Sequence, residues 1–152
     1  MNLPPFQNLV DEHARSLHRS LCGMVGLDAA DDCLQETLLA ALRAYPRLRH
    51  DRNLRGWLFT IAHRKGIDHL RRSSRETPSA SVGDRPSPPE PVRDIELWNR
   101  VAALPPKQRT AVTLRYLGDL AYADVARIMA ISEPAARQNV RAGLASLRKD
   151  YR

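Results

Sequence analysis

Apolar residues return every three or four positions through most of this chain, and proline, glycine and serine interrupt the pattern. That spacing lines one face of an α-helix, whereas a half-buried strand would alternate at every second residue. Phe6, Leu9, Val10, Ala14, Leu17 and Leu21 predict a first helix, entered through Pro4 and Pro5. A second is expected to start near Asp28, to turn Leu34, Leu38, Ala41 and Leu42 inward, and to stop at Tyr45-Pro46. RLRHDRN then reads as a basic loop. A third helix, from about Leu54 to Arg72, should bury Trp57, Leu58, Ile61, Ala62 and Leu70. Trp57 lies on that apolar stripe and reads as core, not as a platform on which a base would stack.

The run SSRETPSASVGDRPSPPEPVR, residues 73–93, breaks the periodicity with five prolines and five serines. With almost no large apolar side chain it cannot bury enough surface to offset the entropy of ordering, and it reads as a flexible linker. Beyond it, Ile95, Trp98, Val101 and Leu104 predict a short helix halted by Pro105-Pro106, and residues 107–117 the next, closed by Gly118-Asp119. A helix over 121–129, a brief turn at Ala130-Ile131, Ser132 as cap and a helix from Glu133 to about Lys149 make a helix-turn-helix. Pro134 is tolerated because it falls in the first turn, where no N–H is needed. The expected fold is all-α: two small helical domains, 1–72 and 94–152, joined by the 73–93 linker, the second a helix-turn-helix domain.

Charge sharpens this. Lys and Arg outnumber Asp and Glu 24 to 17, a net +7 that suits a polyanionic partner. The distribution is uneven: residues 1–36 hold six acidic and two basic residues, 43–72 two acidic and nine basic, and 94–152 six acidic and ten basic. One acidic and two basic zones suggest three separate contacts. Cys22 and Cys33 are too few for a disulfide framework. His13, His18, Cys22 and Cys33 match no established zinc-ligand spacing, so neither metal nor cofactor is expected. No apolar run approaches a membrane span and no secretory signal pattern opens the chain, which places the protein in the cytoplasm without membrane insertion.

The last helix carries the most telling chemistry. Arg137, Gln138 and Arg141 fall on one exposed strip behind the Ser132 cap, with Asn139 at its edge, while Ala136, Val140, Leu144 and Leu147 face inward. In a helix-turn-helix the start of the second helix meets base edges, and arginine and glutamine read guanine and adenine bidentately. DDCLQETLLAALRAYPRLRHDRNLRGWLFTIAHRKGIDHLRR resembles the promoter-melting domain of bacterial extracytoplasmic-function (ECF) RNA polymerase sigma factors. ALPPKQRTAVTLRYLGDLAYADVARIMAIS resembles the second conserved domain of the same family.

The resemblance implies a non-enzymatic subunit that binds core RNA polymerase, directs it to promoter DNA and helps open the duplex. It assigns Asp31, Asp32, Gln35 and Glu36 to polymerase docking. Around the −10 element it assigns the loop residues Arg49, Arg52, Asn53 and Arg55, with Arg64, Lys65, Arg71 and Arg72 holding phosphates. Ser132, Arg137, Gln138, Asn139 and Arg141 fall to the −35 element, and a separate anti-sigma factor is the implied regulator. Three departures bear on this. Ala130 stands where relatives commonly carry glycine, Arg64 where asparagine is common, and SEPAARQNVR replaces a more frequent recognition-helix start, so promoter preference transfers least. The rival reading is a helix-turn-helix regulator that binds duplex DNA without polymerase. A nucleic-acid enzyme would need an acid/base or metal cluster, and none is apparent.

Overall fold

The computed structural model describes residues 3–50, 52–75 and 92–149, with side chains from Ile95 onward in the second part. Most of the expected linker lies outside the described residues. Within them every regular element is helical. Helix α1 spans Phe6–Val25 and buries Leu9, Leu17 and Leu21, with the polar His13 and Ser20 on the same inward face. Gly26 ends it at φ 94°, a left-handed conformation that suits a residue without a β-carbon.

Helix α2, Leu27–Ala44, turns Ala30, Cys33, Thr37 and Ala41 to the core. These are small, so α2 lies close to its neighbours, and the Thr37 hydroxyl satisfies itself by donating to the Cys33 carbonyl at 2.7 Å. Leu34 and Leu38 flank that row, but Leu42, expected inward, is 50% exposed. It sits one residue past Ala41, about 100° round the helix, and so clears the buried stripe. After a 3₁₀ turn at Tyr45–Arg47, helix α3 runs over Leu54–Arg75, beyond the expected Arg72. Leu58 and Ala62 are buried; Trp57 and Ile61 are partly buried against the core, with Tyr45 between the rings of Phe6 and Trp57 at 5.3 and 6.1 Å.

Helix α4, Val92–Ala102, begins just inside the expected linker. The single helix expected over 107–117 is instead α5, Pro106–Val112, followed by a wider π turn at Thr113–Leu117, where the Gly118 N–H donates to the Thr113 carbonyl at 2.9 Å. Helix α6 spans Tyr122–Met129 and α7 Glu133–Lys149. Ser132 caps α7 as expected: its hydroxyl accepts the Ala135 N–H at 3.2 Å. Ala130 takes the left-handed turn itself, at φ 57° and ψ 43°, and small Ala126 and Ala136 are both buried in the helix-turn-helix. One hydrophobic cluster extends from Leu17, Leu58 and Phe59 in the first half to Leu114, Val125 and Val140 in the second. The two helical units therefore share a core, with α1 packed on the π turn and α4, and α3 on α6.

Candidate nucleic-acid and polymerase interfaces

The recognition face of α7 is largely exposed. Arg137, Gln138 and Arg141 are exposed while Ala136 and Val140 anchor the opposite side. Arg137 does not swing freely. Its guanidinium pairs with Glu133 at 3.0 Å and lies 4.3 Å from the centre of the Tyr122 ring. Both contacts hold the group near the start of the helix. Asn139 is half-buried, and its amide donates to the Ala135 carbonyl at 3.0 Å, within its own helix.

The residues expected at the −10 element divide into three sets. Arg49, Arg52 and Arg64 are exposed. Lys65, Arg71 and Arg72 gather with Glu36, Asp68 and Arg75 around one groove on the outer side of α3. Asn53 and Arg55 are engaged elsewhere. Asn53, left-handed at φ 54°, caps α3: its Oδ1 accepts the Gly56 N–H at 3.0 Å. Its Nδ2 donates to Asp124 of α6 at 2.8 Å. Arg55, expected to be an open DNA contact, is half-buried; it lies 5.0 Å from the Phe59 ring centre, donates to the Gly118 carbonyl and reaches His13 Nδ1 at 3.1 Å. A guanidinium only donates, so that imidazole nitrogen is the acceptor and His13 is neutral in this contact. Burial depresses the His13 pKa, Glu12 partly offsets the effect, and Arg55 adds to it.

On α2, Asp31, Asp32 and Gln35 are exposed. Asp31 meets His18 of α1 at 2.9 Å, and Glu36 meets Arg72 at 3.7 Å, so the last carboxylate belongs as much to the basic groove as to the acidic face. Leu39 and Leu42, 53% and 50% exposed, extend the face of Asp32 and Gln35 toward the C-terminus of the helix. Sequence periodicity missed them as surface groups. The available signal was that α2 carries more leucines than one inward stripe can hold. An acidic strip continued by bare leucines suits a protein partner better than a polyanion.

Comparison with known proteins fits this geometry. The chain matches Sigma-70 region 2 over residues 9–76 and Sigma-70 region 4 over residues 94–147. It is 33% identical to the ECF RNA polymerase sigma factor BldN of Streptomyces coelicolor, across 86% of this chain and 54% of BldN, and so spans about half that relative's length. It is 32% identical to the ECF sigma factor SigM of Mycobacterium tuberculosis, across 84% of this chain and 67% of SigM. The fold resembles that of the sigma factor RpoE in complex with the anti-sigma factor NepR from Bartonella quintana, with a TM-score of 0.80 and 22% identity over 95% of this chain and 94% of that one. With both conserved regions present in order and a relative matched over two thirds of its length, the chain belongs to the ECF family of RNA polymerase sigma factors.

Proposed function

We propose that this protein is an alternative sigma factor: it binds core RNA polymerase, brings it to particular promoters and promotes opening of the duplex, without chemistry of its own. The observation that carries the reading is the pairing, in one chain, of an acidic and apolar α2 face with a recognition helix whose Arg137 is held by Glu133 and Tyr122. The first face suits a protein, the second a major groove. A regulator acting on duplex DNA alone has use for the second and none for the first.

In this reading residues 1–72 dock on polymerase through Asp31, Asp32, Gln35 and Glu36 and open the −10 element. Residues 94–152 read the −35 element, and 73–93 connect them. Arg49, Arg52, Arg64, Lys65, Arg71 and Arg72 hold the opened strand, where charge-assisted contacts to phosphate dominate affinity, and Asn53 and Arg55 contact it from the start of α3. Arg137 and Gln138 read bases, and Arg141 holds phosphate. The anti-sigma partner named for the RpoE relative suggests a regulator of the same kind for this chain. The test is reconstitution: core polymerase plus this protein should initiate from a discrete set of sequences selected from random DNA. Sequence-selective binding by the protein alone, with no retention of core polymerase, would favour the regulator.

A further inference from the structure

Residues 1–36 are acidic overall and hold two basic side chains, Arg15 and Arg19. Helix α1 sets them four residues apart, on one face. Asp11 and Glu12 lie within a turn of Arg15, yet Asp11 accepts from Gln7 at 2.9 Å and Glu12 meets His13 at 3.8 Å. Both guanidinium groups are exposed, and neither has an ion pair among the described residues. Both line a cavity of about 540 Å³ between α1 and the second half of the chain. The opposite walls are apolar: Leu97, Trp98 and Val101 come from α4, Val112 from α5, and Leu144 and Leu147 from α7. Trp98 also carries a buried indole N–H that has no acceptor among the described residues. An apolar cavity with a few convergent donors, of about 300–1,000 Å³ and set between domains, is the usual form of a small-molecule site.

We propose that this cavity binds a small organic carboxylate with an apolar body, its head held by Arg15 and Arg19 and its tail laid against the α4 and α7 side chains. The planar guanidinium group matches a carboxylate with two parallel hydrogen bonds, and two unpaired ones on one wall favour an anion over a neutral ligand. A bare phosphate or a nucleic-acid backbone would satisfy the arginines but leave the apolar walls without a partner. A partner helix is too large: one turn, about 10 Å wide and about 5.4 Å long, already takes up most of the volume. None of these residues is assigned to DNA or to polymerase, so the site stands whether or not the sigma-factor reading does.

Decanoate, kept below its micellar concentration, is the probe, and decanol is its uncharged counterpart. Calorimetry on the full chain should show decanoate saturating a single site, and decanol binding more weakly by roughly tenfold. Arg15→Gln with Arg19→Gln changes two exposed side chains and should leave helicity by circular dichroism unchanged. That variant should lose roughly tenfold or more in decanoate affinity and nothing in decanol affinity, a split that general loss of structure would not give. Leu97→Trp, which narrows the apolar part, should weaken both probes. Decanoate uptake without saturation would overturn the proposal, and so would equal decanoate affinity in wild type and the arginine variant. An acidic amphipathic peptide that binds where decanoate does not would overturn it in favour of a protein partner. Concentration-dependent dimerisation that the arginine variant abolishes, with no decanoate binding, would give the cavity to a second copy of the chain.

Discussion

Single side chains show how contacts inside the chain hold an exposed group in place, and Arg137 is one. Pairing with Glu133 and stacking on Tyr122 remove conformers that an exposed arginine would otherwise sample. If it reads a base, Arg137→Ala should relax preference at one −35 position and cost about 1–3 kcal/mol. Selection of randomised −35 sequences by wild-type and variant holoenzyme measures this, and an unchanged consensus would exclude the base contact. His13 gives a pH dependence. Its pKa is depressed in the folded protein, mainly by burial, so the unfolded chain binds the proton more readily. The contribution of His13 is therefore complete above the ordinary imidazole value near 6.5 and is lost as pH falls through and below it. Its ring faces Glu12 on its own helix and Arg55 from α3, and protonation turns an acceptor for Arg55 into a like charge. Urea midpoints should fall less steeply between neutral and mildly acidic pH in His13→Gln than in wild type. His63, also depressed by burial, supplies the residual slope in both.

Helices α2 and α6 show what the elements add and what a linear sequence hides. On α2 the pairs Asp31–His18 and Glu36–Arg72 are exposed, and such pairs contribute about 0–1 kcal/mol to stability. Asp31→Ala with Asp32→Ala should therefore leave thermal unfolding nearly unchanged while weakening capture of core polymerase. Leu39→Ser with Leu42→Ser should do the same, because neither leucine is buried. Normal affinity in a competition assay would remove α2 from the docking surface. The turn after α6 offers a separate test. Ala130 sits in the left-handed region at a cost of about 1–2 kcal/mol. Ala130→Gly relieves this but gives the unfolded chain more freedom, so a net gain of about 0.5–1 kcal/mol is expected in thermal or urea unfolding. Helix existence and the Ser132 cap were legible in the sequence because 3.6-residue spacing and a capping hydroxyl are local signals. Leu42 was misplaced because α2 has apolar groups on two faces and periodicity cannot say which is dry. The π turn at Thr113–Leu117 was missed because its hydrogen bond, Gly118 to Thr113, leaves no mark in residue type.

At the scale of the whole molecule, the shared core was the least legible feature. Asn53 and Arg55 read as members of a basic loop, and only the approach of Asp124 and Gly118 from more than sixty residues away gives them their partners. This changes how the DNA-opening role of the first half should be tested. Asn53→Ala would remove the proposed base contact, but it would also strip the cap from α3, which costs about 1 kcal/mol and confuses the reading. Asn53→Asp keeps an acceptor for the Gly56 N–H and removes the Nδ2 donor, while setting a second carboxylate beside Asp124. Extruding a base costs a few kcal/mol, so contacts made only to the opened strand are felt where the enzyme must open the duplex itself. Holoenzyme carrying Arg52→Ala with Asn53→Asp should form open complexes more slowly on a fully paired promoter. It should act close to wild type on a template already mismatched across the −10 region, where opening is supplied in advance. Loss of the Asn53–Asp124 contact cannot produce that difference, because the same variant holoenzyme meets both templates. Equal loss on the two would reduce Arg52 and Asn53 to general phosphate contacts, and the salt dependence of binding would then fall with each cation removed.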